Sequence, residues 1–193
     1  MWRRTKRVFP VLFLILLLSV CSKKSEHQEV KSLPQKDAVT AKPAPEEPPL
    51  SYKKYKGAWF DIAYPFSFKA ENSQKSSTSI NGFDSAVFTS ADGSVQFYIF
   101  SPQWSGDAKD IALKSNEIKT DSSSEIINGL TVKRWTIQAK DGSYFRSCES
   151  TSETESKINK IFGIKYSSQK ELDRYRQAYL HFKNSLQQYA DYI

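Results

Sequence analysis

The chain is poor in the residues from which most catalytic and metal centres are built. Its 193 residues include two cysteines (Cys21, Cys148), two histidines (His27, His181), one methionine and seven glycines. So few cysteines exclude a disulfide-rich scaffold, and neither histidine has a second His or a Cys at ligand spacing, which argues against a zinc site. No glycine belongs to a phosphate-cradling G-x-x-x-x-G-K-[ST] loop. No apolar run approaches the roughly 20 residues that a spanning helix needs. The basic excess is also thin where it would matter. Of the formal charge of +7, four units come from Arg3, Arg4, Lys6 and Arg7, and residues 21–50 carry five lysines and five acids that cancel. Residues 51–193 keep 19 basic and 16 acidic residues, a net +3. Nucleic-acid binding needs a concentrated basic face, and no nucleic-acid partner is expected here.

What is present begins with an address. The four cations precede Val8 to Val20, which is apolar except for Pro10 and Ser19. A basic start and a short apolar segment read as an export signal over residues 1–20. Leu18-Ser19-Val20-Cys21 resembles the lipobox of bacterial lipoproteins, with Val20 where that family usually has Gly, Ala or Ser. The resemblance implies cleavage before Cys21 and lipidation of that residue. Because each buried lipid CH₂ adds about 0.8 kcal/mol of membrane affinity, several acyl chains would hold a polar protein firmly. The expected location is the bacterial cell envelope, facing periplasm or exterior. Ser22 after the cysteine is similar to outer-membrane sorting signals if the cell is Gram-negative.

Residues 21–50 contain no aromatic residue and five prolines, at 34, 43, 45, 48 and 49. Such a segment cannot bury enough apolar surface to offset ordering entropy, so a disordered tether carrying a solvated His27 is expected. At residue 51 the composition switches, and residues 51–193 are long enough for one globular domain. Trp59 to Tyr64 is strand-like and ends at Pro65. Four glycines follow Asn or Asp, at 82, 93, 129 and 142, a pairing that suits type I′ hairpin turns. A turn at Asp92-Gly93 sets Phe88 against Phe97 and Ala86 against Ile99. A turn at Asp141-Gly142 sets Ala139 against Tyr144, Ile137 against Arg146 and Trp135 against Cys148, with Arg134 facing Glu149 on the other side. That register places Cys148 on the expected core face, where an apolar setting makes a thiol inert. Arg146 is the odd member of this face: it marks the rim of the core, pairs with an internal acid, or binds an anion.

Between the hairpins, 107–114 reads as a short helix and 118–127 as a strand. Residues 151–155 read as a polar turn and 158–166 as a strand. Residues 168–189 carry a helical stripe, Leu172, Tyr175, Tyr179, Phe182, Leu186 and Tyr189, behind an N-cap at Ser168 with Glu171 three residues on.

The order of these motifs resembles the PsbP-like superfamily, which includes the photosystem extrinsic subunit and the Ran-binding nuclear import factor. The motifs are F-D-I-x-Y-P (Phe60 to Pro65), V-F-x-S-x-D-G-S-V-x-F (Val87 to Phe97), a Trp104 loop, D-G-S-Y-x-R-S (Asp141 to Ser147), and F-G-I-x-Y with its helix (Phe162 to Tyr189). The resemblance covers about residues 55–190. It implies an α+β fold in which a central antiparallel sheet is flanked by helices on both faces, and members that bind proteins and are not enzymes. The function expected is therefore a lipid-anchored, non-catalytic protein-binding or assembly module without cofactor or metal, whose partner is unnamed. The alternative is a small-ligand or anion-binding lipoprotein. Arg146, Tyr144 and Trp104 are the candidate contacts, with Trp135 beside them. A hydrolase would have only His181 as its base.

Overall fold

The computed structural model describes residues 51–104, 106–153 and 159–189. The expectations about the export signal, Cys21, the tether and His27 lie outside these residues.

Alternating apolar residues build ten strands and one α-helix, in the order β1 (Tyr52–Lys56), β2 (Phe60–Pro65), β3 (Lys69–Asn72), β4 (Ser85–Thr89), β5 (Val95–Phe100), β6 (Glu117–Ile127), β7 (Leu130–Ala139), β8 (Phe145–Glu153), β9 (Asn159–Tyr166), α1 (Gln169–Asn184) and β10 (Gln187–Gln188). Seven strands form one sheet in the order β3-β4-β5-β9-β8-β7-β6, and β1-β2-β10 form a second, smaller one. All pairings are antiparallel. Strands β4 and β5 are apolar on both sides, which a sheet tolerates only if both faces are covered.

On the first face, Phe88, Phe97, Ile99, Phe162 and Ile164 meet Phe60 and Ile62 of β2 and Ala178 and Phe182 of α1. Phe182 is fully buried. Its ring centroid lies 5.2 Å from that of Phe88 and 5.3 Å from that of Phe97, within the range of favourable aromatic pairing. The second face holds a smaller cluster of Tyr98, Phe100 and Ile161, with Val87 and Trp135 packed against it. Its cover differs from the expectation of helices on both faces. Among the described residues there is one α-helix, and the second face is covered by the irregular segment 101–116 through Ala108 and Ile111. Pro102 and Gly106 break that segment, no side chain caps its start, and only Lys109–Ile111 coil, as a single 3₁₀ turn.

The hairpin registers match the sequence reading pair for pair, including Phe88–Phe97, Trp135–Cys148 and Arg134–Glu149. The turn chemistry is partly different. Only Asn128-Gly129 has positive φ at both residues (51° and 80°), as type I′ requires. At Asp92-Gly93 and Asp141-Gly142 the glycine alone is positive. The aspartate instead accepts from the N–H and hydroxyl of the serine two residues on, Ser94 or Ser143. Residues 151–153, expected in a turn, continue β8.

The α1 N-cap is as expected: Ser168 Oγ accepts from the Glu171 N–H at 3.3 Å. The helix stops at Asn184, short of 189. Ser185 turns its hydroxyl back onto the Phe182 carbonyl and receives the Ala63 N–H, and β10 then pairs with β2. Leu186 still reaches the core from beyond the helix.

Truncation of Phe182 to Ala is expected to cost about 3–5 kcal/mol in urea unfolding, the range for a buried aromatic whose neighbours cannot close the void. A loss below about 1 kcal/mol would contradict the packing described.

Candidate functional site

The chemistry-bearing side chains gather on the second face, away from α1. Strand register sets Tyr98, Gly163, Cys148 and Trp135 in one row, and Gln96, Lys165, Arg146 and Ile137 in the next. Gly163 leaves space in the first row, since a Cβ there would lie 3.3 Å from Tyr98 Cβ and 3.6 Å from Cys148 Sγ. The segment 101–116 arches over both rows and leaves a pocket of about 150 Å³ lined by Val87, Tyr98, Ile111, Lys114, Tyr144 and Lys165 among others.

Two acids fasten that segment to the sheet. Glu117, whose side chain has no exposure, takes Arg146 Nε at 2.9 Å and Arg146 Nη2 at 2.5 Å. It also accepts from the Tyr144 hydroxyl at 2.8 Å and the Lys114 N–H at 2.9 Å. The remaining donors of Arg146 reach the carbonyls of Ile111 and Ala112. Burial alone would raise the Glu117 pKa, but the hydrogen bonds from Arg146, Lys114 and Tyr144 together outweigh it and hold the carboxyl at about 2. Asp110, in the 3₁₀ turn, accepts from the hydroxyls of Ser73, Ser85 and Tyr98, each at 2.6 Å. Burial first, and then this bond to Asp110, push the Tyr98 hydroxyl well above its ordinary range.

Cys148 is buried and free, and burial pushes its thiol up to about 11, so it is protonated and unreactive at neutral pH. It sits on the second face opposite Trp135, buried as expected. Lys165 lies with its ammonium 4.1 Å from the Tyr144 ring centroid. Burial, followed by the charges of Lys114 and Arg146, lowers its pKa.

Of the candidate contacts, the structure brings Arg146 and Tyr144 together on Glu117. This corrects the anion-binding reading of Arg146, because its guanidinium is already neutralised by an internal acid. Trp104 is 41% exposed in the loop after β5 and is not among the residues lining the pocket. Trp135 packs half-buried against the second cluster. His181 stacks on Tyr52 at 3.8 Å between ring centroids. No group of three or more metal-ligating side chains occurs among the described residues. Sequence reasoning missed Glu117, Asp110 and Lys165. The available signal was Arg146 on a core row, which demands a buried acid. Identifying that acid needed the β6–β7 register, which shifts at a bulge between Lys119 and Asp121.

No protein-family model matches the sequence, and no curated protein gives a significant match. Among solved structures, the chain is similar to the solution structure of cyanobacterial PsbP (CyanoP) from Synechocystis sp. PCC 6803. The identity is 8%, the TM-score 0.42, and the match covers 78% of this chain and 99% of that one. It is also similar to the Ran-binding protein Mog1p of Saccharomyces cerevisiae, at 7% identity and a TM-score of 0.41, over 73% of this chain and 97% of that one.

The depressed pKa of Glu117 fixes the sign of its pH dependence. The folded value, about 2, lies below the ordinary 4.5, so the stabilisation is complete above pH 4.5 and is lost as pH falls towards 2. Wild-type stability should decline over that window, and Glu117→Gln should remove this component from the pH profile. Arg146→Met leaves a buried charge unpaired and should cost about 3–5 kcal/mol, whereas Arg146→Met with Glu117→Leu should cost much less. An additive double variant would contradict the pairing. Native Cys148 should resist a thiol reagent at pH 8 and react on unfolding; rapid native labelling would refute its burial.

Proposed function

We propose that this chain is a lipid-anchored, extracytoplasmic protein-binding module that supports a complex at a bacterial membrane and carries out no chemistry of its own. One observation carries the reading. Among the described residues, the acids and the thiol of the second face are engaged or buried: Glu117 on Arg146 and Tyr144, Asp110 on three hydroxyls, and Cys148 in the interior. The polar strand β6, by contrast, is exposed along nearly its whole length. The lipobox-like Leu18 to Cys21 and the proline-rich residues 22–50 support an anchored, extended presentation. The motif order that resembles the PsbP-like superfamily supports a binding role, because members of that superfamily act by binding proteins.

Chemical cross-linking in native membranes followed by pull-down tests the reading, with a Cys21→Ala variant beside the wild type. One stoichiometric protein partner, reduced in the unanchored variant, is the expected result. Recovery of the protein without any partner would overturn it.

A further inference from the structure

The charged side chains of β6 to β9 divide by face. On the face away from α1, register places Lys119, Lys133, Arg146 and Lys165 against a single carboxylate, Glu117, and Arg146 consumes that carboxylate. Four cations less one anion leave +3. On the α1 face, Asp121, Glu125, Glu149 and Glu153 stand against Arg134 and Lys160, and Lys183 of α1 pairs with Glu149, which leaves −1. At its outer end Lys119, Ser122, Ser124, Lys133 and Trp135 of this face, with Ser123 and Arg134 between them, line a shallow groove of about 520 Å³.

Among the described residues the same wing ends in an open strand edge, for β6 is the outermost strand of the seven. The type I′ turn at Asn128-Gly129 makes Ile127 and Leu130 a hydrogen-bonded pair, and bonding alternates along an antiparallel ladder from there. The other end agrees: the Ala139 N–H bonds Tyr144 of the β8 side, so Leu130, Val132 and Arg134 are the residues that bond β6. The backbone groups of Ser122, Ser124 and Ile126 therefore point outward, and their side chains lie on the lysine face. Native edges are usually guarded by Pro, Lys or a bulge. The bulge of β6 and its Lys119 lie at one end, before Asp121, and residues 121–127 contain neither Pro nor Lys. The two acids in this stretch are turned inward, Glu125 onto Arg134 and Asp121 onto the Thr136 N–H. Ile126 is 79% exposed.

We propose that β6 accepts an extended acidic segment of the partner protein as an eighth strand, with its carboxylates over Lys119 and Lys133. The proposal rests on the protein-binding reading above and adds the surface and the chemistry of the partner. Outward backbone groups supply the pairing and the lysines supply the sign, the division of labour seen when a peptide extends a sheet. An anionic membrane surface would use the lysines but leave the edge unused. A second copy of this chain would bring like charge to the lysine face.

The test uses the full chain in detergent and two blocked, fluorescently labelled ten-residue peptides, one alternating Glu and Val and the other Lys and Val. Anisotropy should show the Glu–Val peptide binding at least tenfold tighter, and raising the salt should weaken it. Ser124→Pro, which removes an N–H that β7 does not use, should weaken binding at least tenfold. Lys119→Glu with Lys133→Glu should do the same, and it carries the test if Ser124→Pro does not fold. Lys170→Glu on α1 should leave binding unchanged. Equal affinity for the two peptides, or no loss in the lysine variant, would overturn the proposal. So would displacement of the peptide by phosphatidylglycerol vesicles with no effect of Ser124→Pro on vesicle binding, or a dimer that Ser124→Pro dissociates. In the membrane pull-down, a partner retained by both variants would defeat this proposal and leave the protein-binding reading standing; absence of a partner from wild type would defeat that reading itself.

Discussion

A buried ion pair holds the second face of the sheet closed. A sheet that is apolar on both sides needs two covers, and the described chain supplies one α-helix. The other cover is an irregular stretch with a single turn of 3₁₀ helix, which cannot satisfy its own backbone as a helix does. Glu117 at its end and Asp110 in its middle fasten it to the sheet, the first through Arg146 and Tyr144, the second through Ser73, Ser85 and Tyr98. Arg146 in turn satisfies the carbonyls of Ile111 and Ala112. The desolvation cost of such a pair is large, and what it secures is a layer that the local sequence could not build from helical propensity.

That role also sets the protonation of the residues with the look of a site. A general acid or base needs a pKa near the working pH. Glu117 is held at about 2 and Cys148 near 11, so both are fixed in one protonation state at neutral pH. Beyond the clamp, the sheet runs out into β6 and β7 with a lysine-bearing face, an acidic opposite face and an unpaired edge. The functional reading follows from this contrast between spent and unspent polar groups.

Much of the fold was legible in the sequence because the hairpins are local. Alternation and an Asp-Gly or Asn-Gly step suffice to set Phe88 against Phe97 and Trp135 against Cys148. The Ser168 cap and the tyrosine stripe of α1 are likewise local signals. The misses are non-local. The helix expected at 107–114 gives way to contacts made by Asp110 with residues 12 to 37 positions away. The last turns expected of α1 yield to pairing of β10 with β2, more than 120 residues earlier in the chain. Arg146 and Tyr144 were visible as candidates, but their partner Glu117 lies beyond a register shift that periodicity cannot detect, and finding it selects the internal ion pair from the readings open for Arg146.

Native-state amide exchange along β6 in the free protein tests the central claim that this edge is open and available. The account predicts alternation, with fast exchange at Ser122, Ser124 and Ile126 and slow exchange at Ser123, Glu125 and Ile127. Uniform protection across residues 122–127 would mean that another segment already covers the edge, and would contradict the account.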